Sequence, residues 1–372
     1  MIGRLAPDVL VVGGGVIGCA VADELAGRGR SVLVVDRGAL GGEASSAAAG
    51  VLAVASGSER DGPRLELHRS SLARFPALIE RLRAGSGVDP GYVRSGVLEL
   101  VMNETDQAEA DARAALRRAQ GFGVERLDRV ALRAEAPAVN PAARGALLFP
   151  DDAQVVSARL VDALAASARR RGAELVPGAE VRGVDWSGTR VARVHVNAAV
   201  VTPGTVVLAA GAWAARVPGF VPRLGVVPAR GQMLALRPAT PVGSRVLSWA
   251  DGYLVPRAGE VLVGATVEDA GFEKAVTTAG LAALVAKVTA IAPALADAPV
   301  VRVWAGLRPH APAGGPMLGR VPGTENLVLA CGHFRNGVLL APITAAVIAA
   351  VVDGSAPPVD LAPFLPPPGT RA

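Results

Sequence analysis

The 372-residue chain has two cysteines, Cys19 and Cys331, and four histidines. Two cysteines cannot build a disulfide framework, and that usage fits a reducing, cytoplasmic setting. His68, His195, His310 and His333 are scattered, with no metal-ligand spacing, so no metal centre is expected. Charge of one sign is not concentrated either. The net charge of +5 comes from dispersed residues, nearly all of the cations being arginine. No basic stretch is interleaved with aromatics, so nucleic acid is not an expected partner. The longest late apolar run, residues 338–352, contains Pro342 and falls short of the ~20 residues a membrane span needs. It reads as a buried helix. The N-terminal residues run straight into a strand pattern with no cleavable signal.

What is present is apolar and long enough for two domains: 51% of residues are hydrophobic. Residues 8–12 form a Val-rich run of the kind buried on both faces of a parallel sheet. Residues 19–29 read as a helix and residues 31–35 as a second buried strand, ending in Asp36. Helices are expected over 65–83, 105–120, 155–171 (with Ser157 as cap), 277–291 and from Gly337 onward. Strands are expected over 96–102, 174–184, 189–197, 206–210 and 327–330, with short strands from 231 to 263. Helix–strand units at the start, middle and end, with sheet-like pieces between, predict an α/β nucleotide-binding domain. It is assembled from separated segments, with a second domain inserted between them.

Between the first strand and helix, residues 11–18 read Val-Val-Gly-Gly-Gly-Val-Ile-Gly, a G-x-G-x-x-G motif. Gly13 permits the tight turn, Gly15 lets backbone approach a pyrophosphate, and Gly18 lets helix pack on strand. The phosphates then meet the free N–H groups of the helix N-terminus, beside Val16 and Ile17. Asp36, at the end of the second strand, is placed to accept hydrogen bonds from ribose hydroxyls, and its charge disfavours a 2′-phosphate. The residues alone leave FAD and NAD open.

Three later segments bear on that choice: Gly-Gly-Glu-Ala-Ser-Ser-Ala-Ala-Ala-Gly at 41–50, Val-Trp-Ala-Gly-Leu-Arg-Pro at 303–309, and Gly-His-Phe-Arg-Asn-Gly-Val-Leu-Leu-Ala-Pro at 332–342. With the N-terminal motif, they closely resemble the glycine oxidases of thiamin biosynthesis, in the D-amino acid oxidase superfamily. The resemblance runs from about residue 9 to about 353. It implies non-covalent FAD on a Rossmann-type domain of discontinuous segments (1–85, 150–225, 305–372). A substrate domain of mostly antiparallel sheet (86–149, 226–304) is inserted.

By the same resemblance, Asp36 and Arg37 lie beside the adenosine ribose, and Val181 meets the adenine. Ala44, Ser45, Ala49, Gly50 and Val51 surround the flavin, Gly211 belongs to the cofactor set, and His333, Phe334, Arg335, Asn336, Gly337, Val338 and Leu339 lie against the isoalloxazine ring. Arg308 grips the substrate carboxylate, with Tyr253 and Arg335 in the same pocket. Val51 and Val267 stand where a family member has Met, and Asp251 where it has His. These three positions near the substrate bear on its identity. The implied reaction removes a hydride from the α-carbon of glycine, sarcosine or D-alanine. Oxygen is the expected acceptor, a homotetramer the expected assembly, and hydrogen peroxide a product. A dehydrogenase passing electrons to a quinone is the alternative.

The residues themselves support the chemistry. A guanidinium among apolar neighbours binds a carboxylate through two parallel hydrogen bonds, although a structural salt bridge would also account for Arg308. The glycine-rich 332–337 segment places a helix N-terminus where it can stabilise a reduced, anionic ring, although a plain turn before a core helix has the same pattern. Cys331 and Cys19 read as buried thiols, and Trp213, Trp249 and Trp304 as core. No Ser-His-Asp or Cys-His set is apparent, and no catalytic side chain beyond the flavin is expected.

Overall fold

The structure is a computed structural model describing residues 2–59, 61–221, 224–239 and 241–368. A six-stranded sheet runs in the order Met317–Arg320, Leu327–Cys331, Thr205–Leu208, Val9–Val12, Val32–Asp36, Glu174–Pro177. All its pairings are parallel except that of the Met317–Arg320 edge strand. The short Val/Leu runs are apolar at every position because both faces are covered. Val9, Val11, Val32, Val34 and Val207 face the helices Val16–Gly27, Ser157–Arg170 and Gly337–Asp353. Leu10, Val12, Leu33, Val35 and Leu208 face a three-stranded antiparallel sheet, Val181–Ser187, Arg190–Val196 and Ala199–Val201.

A second, eight-stranded sheet runs Val300–His310, Val227–Leu236, Glu260–Gly264, Gly252–Arg257, Val246–Trp249, Val97–Val101, Gly145–Phe149, Glu125–Asp128. Only Val246–Trp249 with Val97–Val101 is parallel. Period-two alternation gives it two different faces. Leu98, Leu234, Leu254 and Val263 pack against the helices Thr278–Ile291 and Arg129–Glu135. Val97, Met233, Val246 and Tyr253 turn to the opposite face, which borders the large cavity. Strand Val300–His310 pairs along its length with Val227–Leu236, so the domain boundary expected at 304/305 falls inside a strand.

Three local expectations change. The helix expected over 65–83 is two helices, Gly62–Leu72 and Phe75–Ser86. Pro76, lacking an N–H, sits in the first turn of the second, where no intrahelical donor is needed. The strand expected over 174–184 divides after Pro177. Gly178 takes a left-handed φ of 70°, sending Val181–Ser187 into the other sheet. Ser157 does not cap its helix: Val156 holds the cap position, and the Ser157 hydroxyl is buried without a partner. Among the described residues, no helix is long and apolar enough to cross a membrane and no cluster suits a metal ion.

Candidate active site

One cavity of about 890 Å³ runs from the glycine turn after the first strand to the inner face of the eight-stranded sheet. At its first end each glycine of the motif has a measurable reason. A β-carbon on Gly13, whose φ is 110°, would stand 2.5 Å from the Ala209 carbonyl oxygen. One on Gly18 would stand 1.9 Å from the Gly13 carbonyl oxygen, so this glycine is the helix–strand contact and does not line the cavity. Gly15 is the N-cap of helix Val16–Gly27, which has neither a side-chain cap nor an acidic residue in its first turn. The Val16 N–H donates to Ser45 Oγ at 2.9 Å, and the helix end faces the cavity.

Asp36 is held by two backbone donors, Gly14 N–H to Oδ2 at 2.7 Å and Gly38 N–H to Oδ1 at 2.8 Å. The bonds fix the carboxylate on the cavity wall with lone pairs to spare. Arg37 lies 4.2 Å over the Trp213 ring, and Val181 and Gly211 line the same end. Trp213 and Trp249, read from sequence as core, are cavity walls; Trp304 donates its indole N–H to the Ala47 carbonyl at 2.9 Å.

Midway, Ala44, Ser45, Ala49, Gly50 and Val51 form one wall and residues 333–338 another. Gly50 has φ 79°, and a β-carbon there would meet the Val155 carbonyl at 1.9 Å. Phe334 has φ 49°; its N–H donates to the Pro309 carbonyl at 2.9 Å and its ring lies 4.6 Å from that of His310. Helix Gly337–Asp353 begins at the cavity with no side-chain cap. Leu339 departs from expectation: it is in the core, its carbonyl accepting from Ser71 Oγ at 2.6 Å. Burial pushes the His333 pKa down to about 3, so the ring is neutral, with Nε2 3.0 Å from Thr344 Oγ1. Burial pushes the Cys331 thiol up to about 12, and both cysteines are free. The bare helix end, the glycine clearances and the fixed Asp36 fit a dinucleotide cofactor with an extended ring.

At the sheet, Arg308 is set by its neighbours. A β-carbon on Gly231 would stand 2.2 to 2.4 Å from the guanidinium atoms, so only glycine leaves Arg308 its place. Nη1 donates to the Thr266 carbonyl at 3.0 Å. That carbonyl belongs to a braced segment: Gln232 N–H donates to Thr266 Oγ1 at 2.8 Å, and Gln232 Nε2 donates to Glu268 Oε1 at 2.8 Å. Arg230 Nε donates to Glu268 Oε2 at 2.9 Å, so Glu268 is engaged by Arg230 and not by Arg308. Burial, above all, draws the Arg308 pKa below that of an exposed arginine. The Tyr253 phenol is pushed up by burial, opposed by the nearby charges of Arg308 and Arg335. Gly264 makes room for the Tyr253 ring, 2.6 Å from where a β-carbon would be.

Arg308, Arg335, Tyr253 and Val51 are therefore brought together, and all line the cavity. Val267 is not among them; it is 50% exposed, outside the lining. Asp251 is at the lining, with Oδ2 held by Lys287 Nζ at 2.7 Å. Gly231, Gly264, Thr266, Gln232 and Glu268 escape the sequence reading because their roles depend on which strands pair.

The chain matches the model of the FAD dependent oxidoreductase family over residues 8–351. It is 36% identical to a glycine oxidase of Geobacillus kaustophilus, covering 96% of each chain. Identity to the hydrogen cyanide synthase subunit HcnC of Pseudomonas aeruginosa is 34%, covering 96% of this chain and 95% of that one. A bifunctional ThiO/ThiG protein of Nostoc is 36% identical over 93% of this chain and 52% of its own length. The crystal structure of the Geobacillus glycine oxidase superposes with a TM-score of 0.91 at 34% identity, covering 97% of this chain and 98% of that one. That of an iminodiacetate oxidase from Chelativorans gives 0.88 at 29%, covering 96% and 98%. Fold, cavity and matched length agree: the chain belongs to the family of FAD-dependent oxidoreductases, with FAD as its cofactor.

Proposed function

We propose that this chain is an FAD-dependent amino acid oxidase acting on glycine or another small amine-bearing acid such as sarcosine or D-alanine. The observation that carries the reading is Arg308. It is a guanidinium with no carboxylate partner among the described residues, facing the cavity beside Tyr253. A substrate carboxylate supplies the missing charge through two parallel hydrogen bonds. Tyr253 and Arg335 close the same group, and the α-carbon is thereby presented to the flavin end. Bound FAD supplies the two-electron acceptor. The amine loses a proton and the α-carbon a hydride, leaving an imine that water converts to a 2-oxo acid and ammonia, or methylamine from sarcosine. No side chain acts as base in this reading. Neutral His333 is occupied with Thr344, and an amine deprotonated in water needs none.

Segments 1–85, 150–225 and 305–372 hold the cofactor in this reading, and 86–149 with 226–304 hold the substrate, residues 305–310 being paired into the substrate sheet. Oxygen takes the electrons to give hydrogen peroxide, the assembly is a homotetramer, and the imine serves thiazole formation for thiamin, as the ThiO/ThiG relative suggests. A second reading sends the electrons to a quinone. It is favoured by the HcnC relative, which is a subunit of a larger synthase. Anaerobic mixing with glycine, sarcosine and D-alanine tests the first reading by bleaching of the flavin band. No bleaching with any of the three overturns it, and peroxide release under air separates oxygen from quinone.

A further inference from the structure

The cavity lining extends to residues to which the cofactor and small amino acid readings assign no role. Beyond Tyr253 it continues past Ser248 to Glu99 and Arg113. The strand register defines the path. Tyr253 pairs with Ser248, and Ser248 with Glu99, so the three side chains form one row across the cavity face. Two strand spacings, about 10 Å, separate Tyr253 from Glu99 at the backbone. Glu99 is mostly buried, with 21% of its side chain exposed. The nearest approach of Arg113 is Nε to Oε1 at 3.2 Å, Arg117 is the next cation acting on it, and no hydrogen bond to Oε2 is made among the described residues. Arg113 also donates from Nη1 to the Gly57 carbonyl at 3.3 Å. Asp251, at the neighbouring rim, is already paired with Lys287.

We propose that this part of the cavity is a distal subsite for a cationic amine, with Glu99 as the specificity-determining residue. The substrate class is then a small amino acid or N-substituted glycine carrying a second, protonated amine at its far end. The inference rests on the amino acid reading for the near end, where Arg308 and Tyr253 hold the carboxylate. A carboxylate half-satisfied in a mostly buried site wants a charged donor, and an ammonium supplies one. Burial raises the Glu99 carboxyl above the usual range, opposed by Arg113 and then Arg117, and a bound ammonium would lower it further.

The test uses the FAD-loaded full chain and non-oxidisable ligands, so it does not depend on turnover. 6-Aminohexanoate, hexanoate and hexanedioate have the same span and differ only at the far end. Perturbation of the flavin spectrum reads their binding. The expected result is about tenfold or more tighter binding of 6-aminohexanoate than of hexanoate, with that ratio collapsing in Glu99→Gln. Equal binding of the two in the wild-type protein overturns the inference without a variant, and tighter binding of hexanedioate overturns it in favour of Arg113. If glycine bleaches the flavin while the ratio is one, the subsite fails and the amino acid reading stands. If no amine bleaches it while the ratio exceeds ten, the reading of the reaction fails and the subsite stands.

Discussion

The guanidinium of Arg308 lies against the backbone of Gly231, with Nη2 2.2 Å from the point a β-carbon would occupy. Gly231 is thus a negative image of the arginine. Gly231→Ala is expected to displace Arg308 from the Thr266 carbonyl while leaving the cofactor end untouched. The apparent KM for the amino acid should rise at least tenfold, since hydrogen bonds to charged groups contribute about 1.5 to 3 kcal/mol each. The flavin spectrum should be retained. Arg308→Ala should raise KM at least as far. Steady-state kinetics on both variants check this, and an unchanged KM in Gly231→Ala would show that Arg308 does not hold the substrate.

The contrast between the two ends of the cavity explains what sequence could show. Gly13, Gly15 and Gly18 lie within six residues of one strand-to-helix turn, so the motif is legible in their spacing, although the close approach at Gly13 is to Ala209, far along the chain. Gly231 and Arg308 lie on strands that meet only through the pairing of Val227–Leu236 with Val300–His310. Nothing in 231's own neighbourhood signals a partner 77 residues away. Val267 shows the same gap from the other side. It is close in sequence to Thr266, which braces Arg308, yet it points outward at 50% exposure. The eight-stranded sheet's side-chain rows, including Tyr253–Ser248–Glu99, likewise follow from register and not from composition.

The cofactor end carries a cluster of ring and cation–π contacts that joins separate segments. Arg37 lies 4.2 Å over Trp213, whose ring is 5.5 Å from that of Phe272 and tilted to it by 48°, and Arg216 lies 3.7 Å over Phe272. Two residues on, Lys274 Nζ reaches Glu43 at 2.8 Å and the Gly42 carbonyl at 3.3 Å. The loop after strand Glu260–Gly264 is thereby fastened over residues that line the cavity. Aromatic and cation–π contacts contribute about 0.5 to 1.5 kcal/mol each. Phe272→Ala is expected to raise the Kd for FAD about threefold to tenfold in titrations of the apoprotein, and Lys274→Ala less, with an effect that fades in salt. A Phe272→Ala, Lys274→Ala double variant with wild-type Kd would show that the loop plays no part in retention.

Two buried histidines set the acid limit. Burial pulls His68 down to about 4 and His333 down to about 3, from 6.5. In the unfolded chain both take up protons near pH 6.5, whereas in the folded chain they resist until far lower pH. Their contribution is full above about pH 6.5 and is lost as pH falls from there toward 4 and 3. Each removes about 1.4 kcal/mol of stability per pH unit inside that window. Denaturant unfolding from pH 7 to pH 4.5 should show stability falling with acid, and His68→Gln should reduce the slope by about one proton. An identical slope in that variant would place the acid sensitivity elsewhere.

Arg257 is the residue whose loss should weaken folding and cofactor retention together. It sits on strand Gly252–Arg257, and its guanidinium donates to the carbonyls of Ala49, Val155 (2.9 Å) and Pro256 (3.3 Å) and to Gln154 Oε1. No carboxylate pairs with it among the described residues, and burial pulls its pKa down to about 10. A buried cation without a counter-ion is costly. It persists because it satisfies the carbonyls that the turn at Gly50 leaves pointing inward, tying the flavin-side wall to the substrate sheet. Arg257→Met keeps much of the stem's packing and removes every donor. The carbonyls left unpaired cost about 1 to 3 kcal/mol each. The expected outcome is a lower Tm for the apoprotein and a weaker hold on FAD, with Arg257→Lys intermediate because an ammonium reaches fewer of the four acceptors. A Met variant with wild-type Tm and wild-type FAD affinity would mean that Gly50 holds its turn without help from the sheet.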